Sequence, residues 1–143
     1  MPVNAYINFH GNCLQALEFY QEVFETEKAE IMTFGQMPPD PDFPVTEETK
    51  DLVAHATLKI NDGIIMFSDV PPGMPFTAGN NISVMVSGKD IADKLTLYFN
   101  RIKDDGGIVE MELGETFWTK LFGSIIDKFG ITWHFNLDSN EQQ

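Results

Sequence analysis

One order of secondary-structure signals runs twice along this chain, about seventy residues apart, and the repeat limits the fold more than any single residue does. The first pass opens with a short apolar segment, "AYINFHG", which reads as a strand. In "NCLQALEFYQEVFE", Leu14, Leu17, Tyr20 and Phe24 recur at helical spacing, with Phe19 beside Tyr20. Asn12, followed three residues later by Gln15, has the form of a capping box at the start of that helix. "KAEIMTFG" reads as a second strand. "LVAHATLKI" alternates, with Leu52, Ala54, Ala56, Leu58 and Ile60 on one face and Val53, His55, Thr57 and Lys59 on the other. "NDG" then turns the chain, with Gly63 available for positive φ, and "IIMFSDV" returns as the hairpin partner.

The second pass has the same order. "NISVMVS" is a strand and "GKDIADKLTLYFNRIKDD" a helix with Ser87 as its N-cap, ended by Gly106 and Gly107. "IVEMELGE" follows, and "FGSIID", "KFG" and "ITWHFNL" make a hairpin that matches the earlier one. Setting Gly63 on Gly130 places Ile64 on Ile131, Phe67 on His134 and Asp69 on Asn136. The prediction is an α+β fold of two tandem βαβββ modules, one about residues 1–73 and the other about 79–139. At 143 residues they make up one domain, 1–143, since each module is too small to close its own core.

Between the second and third strands of the first module lies "GQMPPDPDFPVTEETKD", residues 35–51, with four prolines and no periodicity. Loops of that length inside a compact domain are usually lids or contact surfaces. Its acidic side chains read as a solvated surface.

Composition excludes several functions. Nine Lys and Arg against 22 Asp and Glu give a formal charge of -13, which repels a phosphate backbone, so nucleic acid is not the expected partner. A neutral or cationic small molecule is easier to attract. The single cysteine, Cys13, forbids an internal disulfide and a cysteine-based zinc site. No apolar run reaches the roughly 18 residues of a membrane span, and the N-terminus has no signal-peptide pattern. A soluble, cytoplasmic protein is the expectation. No GxGxxG, GxxxxGK[ST] or nucleophile elbow follows a strand, so a Gly-rich cradle for a nucleotide or S-adenosylmethionine is not predicted.

Three segments, "INFHGNCLQALEFYQEVF", "AHATLKINDGIIMFSDVPP" and "ETFWTKLFGSIIDKFGITWHFNL", taken in this order resemble the PhnB-like branch of the vicinal-oxygen-chelate superfamily. That superfamily includes glyoxalase I, extradiol dioxygenases and bleomycin-resistance proteins, and some PhnB-like members carry a methyltransferase label. The resemblance implies a curved mixed sheet around a cleft, helices on its outer face, and a homodimer. In metal-dependent members the ligands come from the first and last strands of each module. Those positions hold Ala5 or Asn4, Met66 or Phe67, Asn81, and His134 here. Only His134 is a good metal ligand, and adding His55 still leaves the set short of the three or four that such a site uses. No cofactor is expected, and a divalent metal, with glyoxalase or dioxygenase chemistry, is disfavoured.

Alternation puts Ile131, Trp133, Phe135 and Leu137 on one face of the last strand, and Thr132, His134, Asn136 and Asp138 on the other. Trp133 is then core, while His134 faces the cleft. His55 is expected on the cleft too, and Trp118 as an aromatic lip over a ligand. His10 reads as loop surface, Cys13 as a packed thiol despite its place in a first helical turn, and Asp69 and Asp127 as turn residues.

The leading expectation is a metal-independent module that binds a small, partly apolar organic ligand, a cation being the easier charge to attract, through His55, Phe67, Asn81, Trp118 and His134. The alternative is a small-metabolite enzyme with His134 or His55 as general base or metal ligand and Asn81 orienting a carbonyl. A third reading is a vestigial cleft filled by Met66, Met85 and Phe67.

Overall fold

A computed structural model describes residues 1–139. It has the α+β architecture of two tandem βαβββ modules, and its contacts divide the chain into two compact units, Met1–Thr77 and Ala78–Gln143. Unit one contains β1 (Ala5–Phe9), α1 (Cys13–Phe24), β2 (Glu30–Thr33), a 3-10 turn (Phe34–Gln36), β3 (Val53–Ile60) and β4 (Gly63–Asp69). Its mixed sheet has the order β1-β4-β3-β2, with β1 parallel to β4. Unit two contains β5 (Ser83–Gly88), α2 (Ala92–Asp104), β6 (Ile108–Gly114), β7 (Phe122–Ile126) and β8 (Thr132–Leu137). Its sheet repeats the pattern as β5-β8-β7-β6, with β5 parallel to β8. Among the described residues no helix is long and apolar enough to cross a membrane.

Each helix covers one face of its own sheet. In unit one, Leu17, Tyr20, Val23 and Phe24 of α1 are buried, and Tyr20 stacks on Phe67 of β4 with ring centroids 5.9 Å apart. Leu14 is exposed, and Cys13 and Ala16 take its place against the sheet. On β3 the predicted inward face holds for Ala56, Leu58 and Ile60. Val53 is also buried, because the ladder to β2 shifts between Met32 and Thr33 and breaks the alternation at the strand's start. In unit two, Leu95, Tyr98, Phe99 and Ile102 of α2 are buried, and Phe99 meets Phe135 edge-on at 6.1 Å.

The start of α1 departs from the capping box. The Asn12 side chain makes no cap hydrogen bond. Instead, Asp69 at the end of β4 accepts the Gly11 and Cys13 backbone N–H groups at 2.9 and 3.0 Å on Oδ1, and the Val53 N–H at 2.9 Å on Oδ2. The carboxylate is buried, and it ties the first helix and two strands together from far along the chain, so turn chemistry does not account for it. Cys13 is wholly buried, and burial, with the Asp69 charge second, pushes its thiol up from 9.0 to about 12. The thiol is packed in the core, as expected, where a nucleophilic thiolate is disfavoured.

Two further local expectations change. Ser87 is not a cap, since β5 runs through it to Gly88, pairing with β8, and α2 begins at Ala92 behind Ile91. In the first hairpin the positive φ, 52°, belongs to Asn61, not to Gly63. The end of α2 is as predicted, with Gly106 at φ 83° and Gly107 N–H donating to Ile102 O at 3.0 Å.

Candidate ligand-binding site

Because Trp133 and Phe135 point to α2, the opposite face of β8 presents Thr132, His134 and Asn136. Cross-strand pairing sets His134 beside Met85 of β5 and Ser124 of β7, and Asn136 beside Ser87 and Phe122. Aromatic rings continue along this face. Phe122 lies edge-on to His134 at 5.5 Å, Trp118 lies edge-on to Phe122 at 5.2 Å, and Phe117 meets Trp118 at 4.9 Å. Trp118 is 49% exposed and Phe117 97% exposed.

The segment that carries Trp118 is fixed by its own threonines. Thr116 N–H donates to Thr119 O at 2.9 Å, and Thr116 Oγ1 accepts the Trp118 and Thr119 N–H groups. Thr119 Oγ1 in turn donates to Leu137 O at the end of β8. The indole N–H donates to Asn136 Oδ1 at 3.2 Å, and Asn136 Nδ2 donates to Asp138 Oδ1 at 3.0 Å. This chain of bonds orients the Trp118 ring while leaving half of it open to solvent.

A cavity of about 760 Å³ opens beside that ring, where β8 ends and α2 begins. Phe117 and Trp118 line it together with Asp90, Asp93, Glu115 and Asp138, and Lys120 is the one cation among its described lining residues. At neutral pH the lining is therefore strongly negative beside an open indole. Carboxylates near an aromatic face form a setting in which an organic cation is attracted by both.

The other predicted residues are placed elsewhere. His55 is exposed on the face of the unit-one sheet away from α1, with Tyr6 Oη 3.4 Å from Nδ1 and Thr57 Oγ1 3.5 Å from Nε2. Asn81 is exposed in the segment before β5. Phe67 does not reach an open face: it is 0% exposed, packed between Tyr20 and Phe9. The error is one of register. The first hairpin turns through two residues, Asn61 and Asp62, between the paired Ile60 and Gly63, whereas the second turns through three, residues 128–130, between Asp127 and Ile131, whose N–H and carbonyl bond at 2.8 Å. Matching glycine to glycine slips the strands by one residue, and one residue moves every side chain to the other face. Met66, paired with Tyr6 and Thr57, is what stands on the open side of β4.

Asp127 shapes the longer second turn. It accepts the Phe129 and Ile131 N–H groups at 2.8 and 3.1 Å on Oδ1, and on Oδ2 the buried Trp133 indole N–H at 2.8 Å. The local bonds are the predicted turn chemistry, while the bond to Trp133 also satisfies a core polar group. His10 is exposed, its ring stacked on Phe76 at 5.1 Å.

Around His134, the Ser124 hydroxyl donates to Glu110 Oε1 at 2.9 Å, and Met85 and Phe122 fill the adjoining places. Among the described residues no three His, Cys, Asp or Glu side chains converge to hold an ion. Nor is the start of α1 a free cradle for an anionic cofactor group, since Asp69 already accepts its first N–H groups.

Two βαβββ units, each a helix on a mixed four-stranded sheet, are the architecture of the glyoxalase and bleomycin-resistance fold in its PhnB-like branch. The chain belongs to the family described as 3-demethylubiquinone-9 3-methyltransferase, whose model matches residues 2–136. It is 32% identical to protein YjdN of Escherichia coli (strain K12), over 96% of this chain and 95% of that protein. Among solved structures it resembles protein PA1353 from Pseudomonas aeruginosa at 29% identity and TM-score 0.80, covering 96% of this chain and 98% of that one. The PhnB protein from Bacillus cereus, described as a putative 3-demethylubiquinone-9 3-methyltransferase, is 26% identical with TM-score 0.69, covering 96% and 99%.

Proposed function

We infer that the protein binds a small organic cation, without a metal, in the unit-two cavity beside Trp118. The observation that carries this reading is the half-open indole, held by Asn136 and set among Asp90, Asp93, Glu115 and Asp138. Attraction to the ring face contributes about 0.5–2 kcal/mol, depending on how far the cation is desolvated. The carboxylates raise the local cation concentration and make binding salt-dependent. The working form is a cytoplasmic homodimer, a reading supported by the family resemblance and checked by sedimentation.

The test is intrinsic fluorescence. Trp133 is wholly buried and bonded to Asp127, so a ligand at the cavity changes the Trp118 emission and leaves Trp133 as an internal reference. Titration with a panel of quaternary ammonium compounds and S-adenosylmethionine, itself a sulfonium cation, is expected to give saturable quenching. The signal should be absent in Trp118→Leu, and affinity should weaken with added salt. A panel that leaves Trp118 emission unchanged at millimolar concentration overturns the reading.

A second reading, acid–base catalysis at His134, is favoured by one observation: its cross-strand neighbour Ser124 is buried and its hydroxyl donates a hydrogen bond to Glu110, which leaves a hydroxyl and a carboxylate beside the imidazole. It requires turnover that follows one histidine titration and is lost in His134→Gln at unchanged thermal stability. His55→Gln separates the other imidazole in the same assay.

A further inference from the structure

We propose that the proline-rich loop of unit one forms a second, separate ligand site, which takes an uncharged aromatic molecule. The loop is a built element. Its ends are joined where Phe34 N–H donates to Leu52 O at 3.0 Å and Gly35 N–H donates to Lys50 O at 2.9 Å. The approach is so close that a Cβ on Gly35 would lie 2.9 Å from Lys50 O. Within the loop, Lys50 N–H donates to Thr46 O, Phe43 N–H to Asp40 O, and Asp42 N–H to the Asp40 carboxylate. These polar groups are satisfied by one another, so the loop keeps its shape without joining the sheet.

Its apolar side chains gather on one side as a result. Phe34 and Phe43 stack at 5.4 Å with their planes 29° apart, and with Met37 and Val45 they face Met74 from the turn after β4. They enclose a cavity of about 390 Å³, inside the usual range of about 300–1,000 Å³ for small-molecule pockets. Asp40 is the only charged side chain among the described lining residues, and its carboxylate is already engaged by the Asp42 N–H. An anion would be repelled by that carboxylate, and one solvent-exposed carboxylate offers a cation little. A flat, neutral ring would find two phenyl faces and two adaptable thioethers, which pack well on aromatic edges. Every described lining residue belongs to unit one.

The probe is N-phenyl-1-naphthylamine, an uncharged aromatic whose emission rises in apolar surroundings. The whole protein is expected to bind it at one saturable site. Met74 is 51% exposed and Val45 43% exposed, so Met74→Glu and Val45→Glu should fold normally. Each is expected to weaken binding at least tenfold, while Trp118→Leu leaves it unchanged. On the wild-type protein, the probe should also shift the methyl NMR signals of Met37 and Met74 by ring currents. Absence of saturable binding overturns the proposal, as does unchanged affinity in both glutamate variants or loss in Trp118→Leu alone. It is equally overturned if Met74→Glu converts a dimer to monomers, which would make the patch a contact between copies.

Discussion

Replacing Asp69 by alanine removes the acceptor for three backbone N–H groups, on Gly11, Cys13 and Val53, two of them in buried bonds. A hydrogen bond to a charged group contributes about 1.5–3 kcal/mol, which summed naively over the three gives about 5–9 kcal/mol. Water can reach the part-buried Gly11 N–H, and bonds that share one acceptor are not additive, so a loss of about 4 kcal/mol is expected. For a domain of this size, about 3 °C of melting temperature accompanies each kcal/mol, giving a fall of roughly 12 °C. Asp69→Asn keeps one acceptor oxygen but turns an amide N–H toward the Val53 N–H, and should fall by about half as much. Thermal melts followed by far-UV circular dichroism measure both. A fall under about 3 °C for Asp69→Ala would refute the claim that this carboxylate anchors unit one.

Stability should decline in alkali because of Cys13. Its thiol holds its proton to about 12 in the fold and to about 9.0 when unfolded, so the native state binds more protons between those values and unfolding becomes easier as pH rises through them. Urea titrations from pH 8 to 10.5 should lose about 2 kcal/mol in the wild type, a slope absent from Cys13→Ala. The same thiol should react with a disulfide reagent at pH 8 only after unfolding, as stopped-time labelling with and without denaturant will check. Gly107→Ala would bring a Cβ to 2.5 Å from Ile102 O, a backbone atom that cannot swing away, and should cost about 2 kcal/mol or more in a denaturant melt.

Much of the fold was legible because helical and alternating periods are long and redundant: α1 and β8 each carry several large residues that agree on one buried face. The cavity's aromatic lip was legible from Trp118, and the His134, Asn136 and Asp138 face from alternation. What failed was what a single residue decides. Ser87 and Asn12 have the right chemistry for caps, but strand pairing holds the first and Asp69, distant in sequence, supplants the second. Phe67 was placed at the site by an ungapped match between hairpins whose turns differ in length, and the slip reversed its face. The acidic walls brought by Asp90, Asp93 and Glu115 left no periodic signal, because they come from separate loops and a helix start.

The two buried aspartates also differ in how far they reach. Asp127 bonds to partners two, four and six residues away, so these bonds can form as soon as its turn closes. Asp69 reaches back 56 and 58 residues to the start of α1, and that anchor does not exist until β4 has paired. Two modules with one element order therefore carry different contact orders at their corners, which sets a sequence of events. The expected order is that the terminal hairpin forms early and the first helix locks late. In kinetic terms, substitutions at Asp127 should slow folding and those at Asp69 should chiefly speed unfolding, and a chevron plot of each resolves the two.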